Sequence, residues 1–340
     1  MLTTDWGPSR REWMDVLRGL AVIMVVVTHT VRLVQYYDEP VPVLPMIVNI
    51  LTPLRMPLLF LLSGMLVPRS LAKGTWGYLK GKLSKVLYPY VLWTIILAFL
   101  TAFSVSVFVF PDLLHLLFVE SATPLWFLGY LLLYYLIALL CRWVHPLIIA
   151  VAAVGLSMLP IDGEWARFWY QAVAFFIGVA LGPFITGFEK FLTNRALCAV
   201  LFVGALAAMT IQTLVGESAQ GVIWKVAVTL AFFVGAAGLV MPIAGSRAFR
   251  PIRYIGERTI KVYILHWPFI VYPLIWLTTN TDLALRWLIP ITFLVGIVPP
   301  IIITVLADRY RAVEWFFEWN PRPRLGRAPL KDEERSQSKS

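Results

Sequence analysis

The sequence predicts an all-α fold: a bundle of about ten membrane-spanning helices. Three observations carry that expectation. Residues of the AVILMFWYC set fill 59% of the 340 positions, where soluble domains hold about half even with glycine counted. Charged residues fill only 14%, against about a quarter in soluble domains, and mean hydropathy is +0.78. Apolar runs of about 20 residues, the length that crosses a bilayer, recur along the chain between charges or Pro and Gly clusters. This composition excludes a soluble globular enzyme, a disordered chain and a disulfide scaffold. One membrane domain is expected, despite a length that would mean two domains in a soluble chain.

Ten runs are expected to span, at 16–35, 46–68, 87–110, 125–141, 146–161, 168–187, 196–215, 222–243, 259–278 and 287–307. The first is interrupted by His29 and is followed by no small-x-small cleavage site, so it is expected to stay in the mature protein. The second contains Pro53, Arg55 and Pro57 and is expected to be broken or partly re-entrant. Irregular backbone at that depth must be buried in protein or line a wet cavity. The fourth and fifth runs are short. Gly178 and Gly182 in the sixth are a small-xxx-small pair of the kind that packs helices. The chain thus divides into a cytosolic segment 1–14, a membrane domain 15–307 and a basic tail 308–340. The tail opens with an amphipathic stretch, Arg309 to Trp319, expected to lie as a helix at the inner surface. Pro321 to Ser340 is rich in Pro, Ser and charge and is expected to be disordered.

Placement of charge predicts orientation. With both termini inside, 24 of the 29 Lys and Arg but only 11 of the 19 Asp and Glu fall on the cytosolic side. The outer segments keep Arg32, Arg55, Arg167, Lys225 and Arg286. This is the positive-inside pattern, and it explains the net charge of +10 without nucleic acid as a partner. A multi-pass protein of the inner or plasma membrane is expected, with the largest inner loop carrying Arg69, Lys73, Lys80, Lys82 and Lys85. Cys141 and Cys198 fall near cytosolic helix ends, where no disulfide is expected. No His, Cys, Asp or Glu cluster has metal-site spacing, and no Gly-rich phosphate loop follows a strand.

Ionisable residues inside the bilayer are costly, at about 2.5–3.5 kcal/mol each on insertion scales, and so point to function. Asp15, Arg18 and His29 share one face of the first span at 100° per residue, with His29 about 16 Å beyond Arg18. His266, within Tyr263-Ile264-Leu265-His266-Trp267-Pro268, lies about 12 Å into the ninth span, so the two histidines can meet in one cavity. Lys261 and Glu257 sit nearer the inner mouth. The structural alternatives are an interfacial anchor for Arg18, hydrogen-bonding roles between helices for the histidines, and pairing or carbonyl capping for Arg55. His115 and His145 read as surface residues.

Taken together these stretches resemble the acyltransferase-3 family of membrane O-acyltransferases. The resemblance rests on Asp15-Val16-Leu17-Arg18-Gly19-Leu20-Ala21 followed by His29, on Phe60-Leu61-Leu62-Ser63-Gly64, on Lys82 and Lys85 before Tyr88-Pro89-Tyr90, on Trp126-Phe127-Leu128 through Tyr134-Tyr135, and on Gly256 to His266. It runs in order over about residues 12–307. Two departures stand out: a Lys-x-x-Lys replaces the family's Arg-x-x-Arg, keeping point charges but losing bidentate contacts, and the Trp-Phe-Leu segment lacks an acidic continuation, for which Glu120 lies just upstream.

The resemblance implies transfer of an acyl group, mostly acetyl, from cytosolic acyl-CoA to a hydroxyl of a cell-envelope glycan or glycolipid. It implies His29 as general base, a role imidazole suits near neutral pH. Arg18 would stabilise developing charge or a donor phosphate, with Asp15 orienting it. Lys82 and Lys85 suit the donor phosphates, and Arg55 and Ser63 are assigned to donor binding with them. His266 would donate to the oxyanion or bind the acceptor, and Trp126, Tyr263 and Glu120 are assigned to acceptor binding. No bound cofactor is expected; acetyl-CoA or another acyl-CoA is a substrate. The partners expected are the lipid bilayer and the acceptor. The competing class is a secondary transporter or exporter, which ten spans, a broken helix and intramembrane charges would also suit.

Overall fold

The structure, a computed structural model, describes residues 11–36, 43–105, 125–215 and 222–320. These residues are helical, and no strand occurs among them. Helix α1 spans Glu12–Gln35, α2 Val43–Gly64, α3 Val67–Leu71 and α4 Gly74–Lys82. A π-helical turn, Leu83–Leu87, leads into α5, Tyr88–Val105. Then come α6, Trp126–Leu140, α7, Pro146–Ser157, and α8, Gly163–Leu181. A short α9, Ile185–Phe191, precedes α10, Arg195–Val215, and α11, Val222–Val240. The chain continues with α12, Arg250–Glu257, α13, Thr259–Asn280, α14, Leu285–Arg309, and α15, Arg311–Glu314.

Each expected apolar run is a helix, because a bilayer offers backbone groups no water and a helix satisfies them within one segment. Eight helical stretches are long and apolar enough to cross a membrane. The two short runs, α6 and α7, have 15 and 12 residues. At 1.5 Å per residue they reach only about 22 and 18 Å, short of a hydrocarbon core of about 30 Å. The outward faces are apolar: Val151 on α7 is 72% exposed and Val200 on α10 is 68% exposed. Ile211, Leu214, Ile302 and Val305 extend that surface. Apolar area on this scale has no place in water, and it marks a multi-pass membrane protein whose rim contacts lipid.

The centre is α1. It packs against α2, α12, α13 and α14, while α2 backs onto α8. The second contact needs Gly178: a Cβ there would stand 2.1 Å from the Leu61 carbonyl oxygen. The small-residue spacing read in the sequence therefore seats α8 directly on the backbone of α2.

Three local expectations are corrected. The second span is not broken; α2 runs unbroken through Pro53 and Pro57. Each proline removes one backbone N–H, and a helix gripped between α1 and α8 tolerates that loss. The basic stretch before the third span is not a loop but α3, α4 and the π-helical turn, leading directly into α5. The amphipathic tail segment is not a helix lying on the surface. Its helical part, α15, is four residues long, and the turns after it dock on the π-helical turn and α5. There Ser84 Oγ donates to the Trp319 carbonyl at 2.6 Å, Tyr88 to Trp315 at 2.8 Å and Trp93 Nε1 to Phe316 at 2.8 Å. Phe317 is buried against Leu265 and Ala307, while Trp315, Phe316 and Trp319 keep exposed rings, so the segment docks through Phe317 and its backbone carbonyls. Residues 321–340, His115 and Glu120 lie outside the described residues.

The α2–α8 contact gives a direct test. Gly178→Ala is expected to destabilise the bundle by the ~1–3 kcal/mol typical of overpacking, read as a lower thermal midpoint in detergent. Gly204→Ala, in α10 where an added Cβ meets nothing within 4 Å, is expected to keep or raise the midpoint, since Ala favours helix over Gly by about 0.5–1 kcal/mol.

Candidate active site

Polar side chains gather at two levels of α1. The mid-helix level holds the two histidines. The ring centroids of His29 on α1 and His266 on α13 are 5.3 Å apart. Trp267 meets His29 edge-on at 5.2 Å, and the Tyr263 ring lies 5.4 Å from His266. His266 is fully buried, and its Nδ1 contacts the Tyr263 carbonyl one turn back on the same helix. A carbonyl only accepts, so Nδ1 carries the proton in the neutral ring and Nε2 presents a lone pair. That Nε2 is buried without a hydrogen-bond partner.

Arg55 on α2 joins this level. Its Nη1 donates to Thr28 Oγ1 at 2.6 Å and to Thr52 Oγ1 at 2.9 Å. Each hydroxyl spends its own proton one turn back along its helix, Thr28 on the Met24 carbonyl and Thr52 on the Val48 carbonyl. What they offer Arg55 is therefore a lone pair each, which fixes the guanidinium without neutralising it.

The second level lies about 16 Å away along α1. Arg18 Nη1 meets Asp15 Oδ1 at 3.3 Å and Nη2 donates to the Leu62 carbonyl at 2.9 Å. Leu62 stands in the last turn of α2, where carbonyls have no partner in their own helix and a cation is favoured. Arg18 thus caps α2 while holding Asp15, which is 2% exposed. Gly256 belongs here too: a Cβ on it would lie 1.7 Å from the Asp15 carbonyl oxygen, so only glycine lets α12 lie against the first turns of α1.

Ser63 donates to the Leu59 carbonyl at 2.7 Å and neighbours the Tyr135 hydroxyl. Lys82 Nζ sits over the Tyr135 ring at 3.5 Å and near the Tyr78 ring at 5.2 Å. Lys85 points elsewhere, 63% exposed and 3.5 Å from Glu318 of the docked tail. The structure therefore brings Ser63, Tyr135 and Lys82 together beside Arg18 but separates Lys82 from Lys85. The π-helical turn between them sets their different directions.

Trp126 stands at the start of α6 among aromatic rings, 6.2 Å from Phe60 and 5.2 Å from Tyr130. Phe127 links it to Tyr263 at 5.2 Å. Arg167 stacks on Trp126 at 4.8 Å and contacts Glu164, which accepts from the Tyr130 hydroxyl at 3.0 Å.

At the foot of α13, Lys261 pairs with Asp308 at 3.3 Å and Glu314 at 2.5 Å, and Arg258 with Glu257 at 2.8 Å. These ion pairs anchor the helix that carries His266. His145 caps α7 at the surface. Among the described residues no His, Cys, Asp and Glu group is arranged to hold a metal.

A family model described as an acyltransferase domain matches residues 11–309. The chain belongs to the acyltransferase-3 family. It is accordingly a membrane acyltransferase, and the matched span runs from α1 to the last residue of α14. No curated protein and no solved structure matches the chain. In this acyltransferase the docked tail lies beyond the matched residues. Thr28, Thr52, Tyr135, Trp267 and Arg167 are absent from the sequence-derived set. The spacing of Thr52 three residues before Arg55 was a usable signal, whereas the contacts of Tyr135 and Arg167 come only from packing.

The Arg18 arrangement predicts a stability effect distinct from any effect on transfer. Arg18→Ala removes the Arg18 contact to Asp15 and the cap on the Leu62 carbonyl. A loss of about 1.5–3 kcal/mol, typical of removing a hydrogen bond to a charged group, is expected as a lower thermal midpoint. Adding Asp15→Asn is expected to recover part of it.

Proposed function

We propose that this acyltransferase moves an acetyl group from cytosolic acetyl-CoA to a hydroxyl of a cell-envelope glycan or glycolipid, with His29 as general base. The observation that carries the reading is the meeting of His29 and His266 inside the bundle, 5.3 Å apart and beside Trp267. Two imidazoles sharing one membrane-embedded level supply a proton acceptor among the described residues, with no carboxylate paired to either ring there.

The donor reading follows from charge. Lys82, held over Tyr135 next to Arg18 and Ser63, faces the interior from the end of the bundle that carries the basic helices α3 and α4. That end is the cytosolic one by the positive-inside pattern, where acyl-CoA is available. A nucleotide's phosphates suit a lysine point charge there. Trp126 and Tyr130 offer flat ring faces to a sugar acceptor from the other end of α6, with Tyr263 buried behind them against Phe127. The transporter reading loses one of its three supports, because α2 is continuous and has no half-helix ends to bind an ion.

The reaction joins an acceptor hydroxyl to the thioester carbonyl carbon and releases CoA as the thiol. His29→Ala is expected to lower acetyl transfer from labelled acetyl-CoA into envelope glycan by about 10²–10⁴-fold, the usual worth of a general base. Full-rate transfer by this variant, in membranes with normal protein levels, would reject the assignment. Lys82→Ala is expected to raise the acetyl-CoA KM with little change in kcat. Lys85→Ala, whose side chain pairs with Glu318, is expected to leave the donor KM nearly unchanged. A larger KM effect at Lys85 than at Lys82 would reverse the donor assignment.

A further inference from the structure

Arg55 is a cation at mid-bundle with no anion paired to it among the described residues. It is 7% exposed, in the interior of α2. Among the described residues its hydrogen bonds are the two to Thr28 and Thr52, and its Nε is buried with no partner. A buried cation normally has a carboxylate partner, because removing charge from water costs several kcal/mol. Here two neutral hydroxyls orient the guanidinium and leave its charge uncompensated. A cation held this way is prepared for an anion that the described residues do not supply.

A second observation places that anion. His266 Nε2 is also buried without a partner. With Nδ1 donating to the Tyr263 carbonyl, neutral His266 can only accept at Nε2. It cannot supply the hydrogen bond an oxyanion needs, a role the sequence had allowed it. Arg55 lies within electrostatic range of both imidazoles and of the Tyr263 phenol, and its free N–H can supply that bond. Its grouping with the donor-phosphate lysines is not what the geometry favours: Lys82 and Ser63 belong to the Arg18 level, Arg55 to the His29 level.

We propose that Arg55 is a catalytic residue that holds the oxyanion formed on the thioester carbonyl oxygen beside His29. The inference rests on the reading of His29 as the base of acyl transfer and deepens it. The hydroxyl oxygen bonds to the carbonyl carbon, the carbonyl π pair moves onto oxygen against Arg55, and the hydroxyl proton passes to His29. The oxygen pair then re-forms the carbonyl, the C–S bond breaks, and the thiolate takes the proton from His29. The products are the ester and CoA thiol. Preorganised donors aimed at such an oxygen act on the transition state rather than on ground-state binding.

The test uses the full-length protein in nanodiscs, acetyl-CoA as donor and a crude envelope-glycan extract as acceptor, following thiol release and ester formation. Arg55→Gln is expected to lower kcat by about 10²–10³-fold, the range for loss of one oxyanion donor. Its acetyl-CoA KM and its inhibition by free CoA are expected to stay as in the wild type. Arg55→Lys, which keeps the charge but not the planar fork, is expected to fall between. Four results overturn the proposal: kcat retained in Arg55→Gln, a raised donor KM at unchanged kcat, a wild-type rate in Arg55→Lys together with weakened CoA inhibition in Arg55→Gln, or collapse of the thermal midpoint in both variants. If wild type transfers acetyl, His29→Ala does not, and Arg55→Gln does, this proposal alone fails. If His29→Ala is as active as wild type, the underlying reading fails and this proposal with it.

Discussion

The constraint on which the rest depends is that polar groups inside a lipid-facing bundle have to be held by other protein groups. His29, His266 and Arg55 sit where the surrounding helices turn apolar faces outward. Each is tied by a different device: a ring contact with Trp267, a backbone carbonyl of the same helix, and a pair of threonine hydroxyls. What these ties leave open defines the chemistry available. One lone pair on His266 and one N–H on Arg55 remain without partners, and both belong to the level of His29.

Helix α1 organises the molecule because it carries both levels. At one end Asp15 and Arg18 join it to α12 and to the last turn of α2. Further along, Thr28 and His29 join it to α2 and α13. An interaction that moves α2 along α1 therefore acts on Arg18 and Arg55 together. The ion pairs at the foot of α13 and the tail docked on α5 tie the same core from outside.

Much of the membrane architecture was legible because apolar length is a one-dimensional signal: all ten apolar runs became helices close to their expected bounds. That His29 and His266 can meet in one cavity was legible too, but not that they share a level, since residue count set His266 several ångströms nearer the inner face and the rings meet at 5.3 Å. The path of α2 through its prolines was not, because whether a helix tolerates a missing N–H depends on what grips it. The division of Lys82 from Lys85 was hidden in the same way. Three residues of α-helix would put them on one face, but the π-helical turn at Leu83–Leu87 changes that angle. The threonines at Arg55 went unread because a hydroxyl in a membrane helix usually bonds to its own backbone, and here it does that and accepts from Arg55 as well. The docking of the tail went unread because its short helix and the burial of Phe317 leave no trace in aromatic spacing.

The central claim is that acyl transfer takes place at the His29 level. A structure of the protein with a non-hydrolysable acetyl-CoA analogue bound tests it most directly. The account predicts the nucleotide end near Lys82 and the acetyl carbonyl within hydrogen-bond reach of the Arg55 guanidinium, with its carbon facing His29. An acetyl group seated at the Arg18 level, or on a lipid-facing surface with His29 unapproached, would contradict it.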